Sequence, residues 1–181
     1  MKSALIIIDV QNAMLAENPY RHNEMMTAIH TLLSTARQHC IEVIHVRHNT
    51  DNGPLQTGSP SWQIANEVAP LAEEKIFDKR YNSAFKDTGL LEHLRAHQTE
   101  QLIIVGMQTE YCIETSVRVA FEYGFSVIVP EGSNSTFDNG CWSAQMLYEH
   151  HNHDIIRNRF AQMPSIKETV AILSDTPNHS I

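Results

Sequence analysis

The sequence contains no hydrophobic run long enough to span a membrane. Its apolar stretch near the start covers residues 4–8 and ends at Asp9, whereas a membrane-spanning helix needs about 20 apolar residues. A signal-peptide core needs about 7 to 15 apolar residues, which is also longer than this run. We therefore expect no membrane partner and no secretory segment.

Cysteine is scarce as well. The chain has only Cys40, Cys112 and Cys141, an odd number without the paired spacing of a zinc site. Such a set does not make the disulfide framework of a small secreted domain, and it leaves at least one free thiol. We therefore expect a reducing compartment, with the cytoplasm as the location.

Basic residues are too few and too scattered to form a nucleic-acid-binding surface. Lysine and arginine number 13 against 21 acidic residues, which gives a formal net charge of −8. Because phosphate neutralisation requires a stripe of positive charge, nucleic acid is not an expected partner. A content of 42% hydrophobic and 19% charged residues is typical of a folded domain. The length of 181 residues is close to the usual length of a single domain.

Short β-branched runs alternate along the chain with amphipathic stretches, which indicates alternating strands and helices. Strands are predicted at residues 4–10, 41–46, 102–105 and 126–129, with a weaker candidate at 156–162. Helices are predicted at residues 23–38, 89–96, 113–123, 142–152 and 165–173. The segment 49–60, rich in glycine, proline and asparagine, is predicted to be a loop that closes over a compact ligand.

The predicted strands are continuously apolar, which is typical of parallel strands that are covered on both faces. The fold class predicted is therefore a single-domain α/β protein with a doubly wound, mostly parallel sheet and helices on both faces, a three-layer α/β/α arrangement. The domain is expected to cover residues 1–175, and residues 176–181 are expected to form a C-terminal tail. Such sheets bind ligands at the carboxyl ends of their strands.

Asp9, Lys79 and Cys112 are the side chains best suited to catalysis. Asp9 ends the first predicted strand, and Cys112 opens the helix that follows the strand at 102–105. A thiol in the first turn of a helix meets the positive end of the helix dipole, so we expect Cys112 to have a lowered pKa and to be the most reactive of the three thiols. A carboxylate can accept its proton, and an ammonium can stabilise the thiolate.

Three separated segments, LIIIDVQN, KRYNSAF and IIVGMQTEYCIETSVRVAFEYGF, resemble the isochorismatase-like cysteine hydrolases, a family that also holds nicotinamidases and N-carbamoylsarcosine amidase. The resemblance runs from about residue 5 to residue 137. It implies that Asp9, Lys79 and Cys112 form a catalytic triad on a doubly wound sheet. It also implies a cis peptide bond between Met107 and Gln108, with the backbone N–H groups of Gln108 and Cys112 forming an oxyanion hole.

The residues and the resemblance together predict hydrolysis of a small amide-type C–N bond through a thioester acyl-enzyme. The expected partner is a small-molecule substrate, and no organic cofactor is required. The resemblance further implies a homo-oligomer, either a dimer or a tetramer. The candidates for contact with the substrate are Gln11, Trp62, Tyr81, Phe85, Tyr111 and Phe137.

Two other functions stay open at this point. An isochorismatase-type enzyme cleaves a vinyl ether without a thiol, and a non-catalytic member of the family would bind or regulate instead; the presence of Cys112 argues against the first. No metal is expected, because Arg47 stands where the nicotinamidase branch carries an acidic metal ligand. His45 and His48 are nevertheless the ligands to test. The histidines at 150, 151 and 153 are interpreted as a solvated helix end.

Overall fold

The computed structural model describes residues 1–175, so the tail predicted at 176–181 lies outside the described residues. The sheet is parallel and has the strand order β3-β2-β1-β4-β5, and a short strand β6 pairs with the carboxyl half of β4. The strands are β1 (Ser3–Ile8), β2 (Glu42–His48), β3 (Lys75–Lys79), β4 (Gln101–Met107), β5 (Ser126–Ile128) and β6 (Asn134–Ser135).

Helices connect these strands. They are α1 (Asn12–Ala16), α2 (His22–Gln38), α3 (Leu90–Ala96), α4 (Glu114–Glu122), α5 (Ala144–Glu149) and α6 (Ile166–Ser174). Shorter segments are a 3-10 turn at Asn66–Val68 and π-helical stretches at Thr109–Ile113 and His150–Ile156. Over residues 1–175, no helix has the length and apolar character that crossing a membrane requires.

The core consists of two apolar layers, one on each face of the sheet. Strand β1 contributes to both, because Ala4, Ile6 and Ile8 pack into one layer while Leu5 and Ile7 pack into the other. Helices α3 and α4 cover the first layer, and α2 and α6 cover the second. This burial on both faces explains the continuously apolar strand sequences and confirms the predicted three-layer fold.

Three elements, α1, β3 and β6, were not predicted, and one predicted strand does not form. Strand β3 was not predicted, because it is an edge strand whose side chains are mostly exposed and therefore lacks a continuous apolar run. The strand predicted at 156–162 was wrong. That segment forms only isolated bridges, Gln162 with Ile128 and Arg157 with Ala161, after a π-helical stretch that carries the chain to Ile156.

Gly106 marks the closest approach between the two central strands. It pairs with Ile8 and has φ +118°, and a Cβ atom placed there would lie 2.0 Å from the carbonyl oxygen of Ile8. We expect Gly106→Ala to lower the free energy of unfolding by more than about 3 kcal/mol, because backbone atoms cannot rotate away as a side chain can. Urea denaturation measures this loss.

Gly124→Ala is the matched control for Gly106→Ala. Gly124 also has a positive φ, +88°, but a Cβ atom placed there would have nothing within 4 Å, so only the backbone cost of about 1 to 2 kcal/mol is expected. Equal losses in the two variants would show that the close approach of Ile8 is unimportant.

Candidate active site

The carboxyl ends of four neighbouring strands bring polar side chains to one point. Asp9 directly follows β1, His48 is the last residue of β2, Lys79 is the last residue of β3, and Cys112 lies in the π-helical stretch after β4. Because all four strands are parallel, their carboxyl ends meet at the same edge of the sheet. The structure therefore brings together Asp9, Lys79 and Cys112, and it adds His48.

Lys79 occupies the centre of this group. Its Nζ atom lies 2.7 Å from Asp9 Oδ2, 2.8 Å from His48 Nδ1 and 3.2 Å from Cys112 Sγ. An ammonium has three N–H donors, so each donor has one acceptor. Lys79 is only 1% exposed, and a buried charge is tolerated only when it is paired in this way.

His48 acts as an acceptor because its ring is neutral. Burial lowers the pKa of His48, and the ammonium of Lys79 lowers it further, while Asp9 opposes this only in part. A neutral imidazole has one unprotonated nitrogen. The short contact from Lys79 assigns that role to Nδ1.

The turn that carries Cys112 is anchored by its backbone and by Thr109. The Met107–Gln108 peptide bond is cis, and the carbonyl of Gln108 accepts hydrogen bonds from the N–H groups of Tyr111 and Ile113, both at 3.1 Å. Thr109 Oγ1 donates to Asn134 Oδ1 at 2.7 Å. These bonds hold the segment between β4 and α4 against β6.

The electrostatics of Cys112 differ from the sequence expectation. Burial raises the pKa of the Cys112 thiol to about 12, the Asp9 carboxylate raises it too, and Lys79 lowers it without offsetting the other two effects. The predicted low pKa was therefore wrong, because the sequence did not show how deeply the thiol lies or how close Asp9 is. The resting group is a thiol, and the buried Asp9 Oδ1 has no hydrogen-bond partner within residues 1–175.

A cavity of about 440 Å³ opens above this group. Ligand pockets for small molecules usually measure about 300 to 1,000 Å³, so the cavity suits a compact ligand. The loop predicted at 49–60 contributes Leu55 to the wall. The lining residues are Asp9, Met14, His48, Leu55, Asn82, Gln108, Tyr111, Cys112 and Phe137.

The structure places only some of the predicted substrate contacts on this wall. Tyr111 and Phe137 line the cavity. Gln11 does not, because its buried amide group instead donates to the carbonyls of His48 and Trp62 and accepts from the N–H of His48. These bonds join the end of β2 to the following loop, so Gln11 has a structural role.

The three other aromatic candidates also lie off the wall. The indole of Trp62 donates to Asn49 and packs under the guanidinium of Arg47. Tyr81 is 45% exposed, with Lys86 over its ring, and Phe85 packs against Tyr123 and Phe125. Each ring already has a partner that the sequence could not show.

Sequence reasoning missed Asn82 and the place of His48. Asn82 Oδ1 lies 4.0 Å from Cys112 Sγ, and its position within the KRYNSAF segment was the available signal. His48 was considered as a metal ligand or a polar loop residue and not as a partner of Lys79, although its place just after a predicted strand resembled that of Asp9.

A metal ion does not fit between the ligand atoms of this site. Asp9, His48 and Cys112 lie within 4.8 Å of one another, but the Lys79 ammonium already fills the space they enclose. His45 cannot join them, because it lies on the opposite face of β2 with its Nε2 atom 3.2 Å from Glu74. The histidines at 150, 151 and 153 contact three different carboxylates, those of Asp154, Glu114 and Glu131.

Comparison with known proteins agrees with this architecture. The family model described as the isochorismatase domain matches residues 3–167. Streptothricin hydrolase from Streptomyces noursei is 29% identical over 75% of the chain, which spans only 50% of that relative. Nicotinamidase 3 from Arabidopsis thaliana is 28% identical over 80% of the chain and 79% of the relative.

A solved structure shows the same fold over nearly the whole chain. An isochorismatase from Pseudomonas putida KT2440 superposes with a TM-score of 0.86 and 28% identity, covering 92% of this chain and 89% of the other. The doubly wound parallel sheet is therefore that of the isochorismatase fold. The chain belongs to the isochorismatase-domain family, and the family predicted from the sequence is confirmed.

The order in which the three thiols react tests the environment of Cys112. Cys40 and Cys141 are exposed, whereas Cys112 is buried with a pKa of about 12. Since alkylation requires an accessible thiolate, we expect iodoacetamide at pH 7.5 to label Cys40 and Cys141 first and Cys112 last. Peptide mapping by mass spectrometry measures the order, and denatured protein is the control in which all three react. Fastest labelling of Cys112 would contradict the assigned electrostatics.

Removal of the central ammonium tests its contribution to stability. Lys79→Met leaves the buried Asp9 carboxylate without its partner, so we expect a loss of about 3 to 5 kcal/mol in the free energy of unfolding at pH 7. Adding Asp9→Asn to that variant removes the orphaned charge and should restore part of the loss. Arg80→Met is the control, because Arg80 pairs with Asp51 at the surface, where a pair contributes about 1 kcal/mol or less. Similar losses for Lys79→Met and Arg80→Met would contradict the buried pairing.

Proposed function

We propose that this protein is a cysteine amidohydrolase that cleaves a small amide-type C–N bond. The observation that carries the proposal is the position of Lys79 Nζ, 2.7 Å from a buried carboxylate and 3.2 Å from a thiol at the wall of a 440 Å³ cavity. A nucleophile, a base and a cation in contact are the groups that acyl transfer through a thioester requires.

The first step is attack of Cys112 Sγ on the substrate carbonyl. Because the thiol has a pKa of about 12, its proton moves to Asp9 as the S–C bond forms and does not leave beforehand. Asp9 Oδ1 is available for this proton, since it has no other partner in the described part of the chain. Lys79 stabilises the negative charge that develops on sulfur as its proton leaves, and this charge passes to the former carbonyl oxygen when the S–C bond is complete.

The second step releases the nitrogen. The backbone N–H groups of Gln108 and Cys112 stabilise the oxyanion, and the C–N bond breaks as Asp9 returns its proton to the departing ammonia or amine. A thioester between Cys112 and the acyl group remains. Asp9 then accepts a proton from water, the hydroxyl oxygen attacks the thioester, and the proton returns to the sulfur as the carboxylic acid leaves.

The cavity favours a compact substrate of mixed polarity. Met14, Leu55 and Phe137 provide apolar surface, while His48 and Asn82 provide polar groups near the sulfur. Primary amides and ureido compounds have the matching character and carry a small nitrogen leaving group. The names of two relatives, a nicotinamidase and a streptothricin hydrolase, support hydrolysis as the reaction class.

Neither alternative function accounts for the buried thiol. A vinyl ether hydrolase needs a proton donor but no nucleophile, and a binding protein needs neither. The contact between Lys79 and Cys112 therefore favours the amidohydrolase. The cytoplasmic location and the homo-oligomeric state that the sequence suggested stay predictions.

Replacement of the nucleophile tests the proposal. In a screen of small primary amides and ureido compounds, we expect Cys112→Ser to lower ammonia release at least about a thousandfold, and Cys141→Ser, which alters an exposed thiol, to retain the wild-type rate. Mass spectrometry of the wild-type protein should show an acyl adduct on Cys112. EDTA should leave the initial rate unchanged, because the Lys79 ammonium occupies the space between Asp9, His48 and Cys112 in which a metal ion would bind.

Two results would overturn the proposal. Undiminished turnover in Cys112→Ser would assign the reaction to chemistry without a thiol, as in a vinyl ether hydrolase. Absence of both ammonia release and a Cys112 adduct across the screen would favour a non-catalytic member of the family.

A further inference from the structure

A second cluster of potential ligands lies at the opposite end of β2. Glu42 begins the strand and His48 ends it, so the two residues are about 20 Å apart at about 3.3 Å per residue. Glu42 lies opposite His93 and His97, which are at the carboxyl end of α3. This cluster is separate from the site built around Lys79.

The geometry of the three side chains matches that of a metal site. Their ligand atoms all lie within 4.8 Å of one another. His93 and His97 are four residues apart, one helical turn, and their ring centroids are 4.1 Å apart. His93 Nε2 lies 2.6 Å from Glu42 Oε1. An ion at about 2.0 to 2.2 Å from each ligand requires this pair to open by less than about 1 Å.

Hydrogen bonding already orients the histidine rings. The Nδ1 atom of His97 lies 2.8 Å from the carbonyl oxygen of His93, so in the neutral ring Nδ1–H donates and Nε2 carries the free lone pair. This is the outer-shell arrangement of metal-binding histidines, whose second nitrogen donates to a carbonyl or a carboxylate. Phe77 holds the ring of His93 edge-on at 5.4 Å.

Within residues 1–175, no cation competes for this cluster, in contrast to the site built around Lys79. Among the described residues, no lysine or arginine forms a hydrogen bond or ion pair with Glu42, His93 or His97. The nearby Arg95 has its guanidinium over the ring of Tyr123. His97 is exposed while His93 and Glu42 are partly buried, so an ion can enter from solvent and keep a water molecule.

We propose that Glu42, His93 and His97 bind a divalent transition-metal ion, with Zn²⁺ as the best match. Two imidazoles and one carboxylate are a common zinc ligand set, and water supplies the fourth position. The ion takes the place of the proton on His93 Nε2, and in the neutral ring that proton moves to Nδ1. The ion would connect α3 to β2 more firmly than the Glu42–His93 hydrogen bond and the apolar packing that already join them.

Titration with Zn²⁺ tests this site. The full chain carries Cys40→Ser and Cys141→Ser, because exposed thiols bind zinc independently. By isothermal titration calorimetry, we expect one equivalent of Zn²⁺ whose affinity falls at least about tenfold in His93→Gln and in His97→Gln. His30→Gln is the matched control, because His30 is an exposed histidine on α2.

A second readout separates ligand loss from unfolding. Zn²⁺ should raise the thermal midpoint of the parent and of His30→Gln but not of His97→Gln, and His97→Gln should keep the midpoint of the metal-free parent because its side chain is exposed. Wild-type zinc affinity in both cluster variants, or no zinc-dependent shift in the parent, would overturn the proposal.

Discussion

The buried ammonium of Lys79 is the constraint on which the site depends. Removing an ammonium from water costs several kcal/mol unless acceptors replace the lost hydration. Here the acceptors are Asp9, which follows β1, His48, which ends β2, and Cys112, which lies in the turn after β4. They can meet Lys79 only if the sheet has the order β3-β2-β1-β4. The same parallel sheet that buries the core thus also assembles the site.

Charge balance explains why the thiol is protonated at rest. The ammonium and the Asp9 carboxylate already neutralise each other at 2.7 Å, and the imidazole of His48 is neutral. A thiolate would add a second negative charge in a buried space, which is why burial and Asp9 raise its pKa to about 12. A negative charge on sulfur is therefore best formed as its proton passes to Asp9. An environment of this kind shields the thiol from solvent.

Much of the fold was predictable because strands that are buried on both faces have continuously apolar sequences. The run from Ala4 to Ile8 packs into both core layers, and a continuous apolar strand is the expected result. Strand β3 was not predictable on this basis, because an edge strand with exposed side chains has no such run. Four of the six predicted substrate contacts lie off the cavity wall for a related reason. An aromatic or amide side chain has the same sequence signature whether it meets a ligand or another residue of the chain.

The sequence by itself determined the alternation of strands and helices, the family, and the presence of Asp9 at the end of a strand and of Cys112 in the helical turn after another. These features are local, because they depend on periodicity and on short motifs. The tertiary structure alone decided that Lys79, which would otherwise pass for a surface lysine, is buried, that His48 belongs to the site, and that the thiol is protonated. Each depends on contacts between residues 31 to 70 positions apart. Distances of a few ångströms between such residues set their charge states, and no local pattern encodes them.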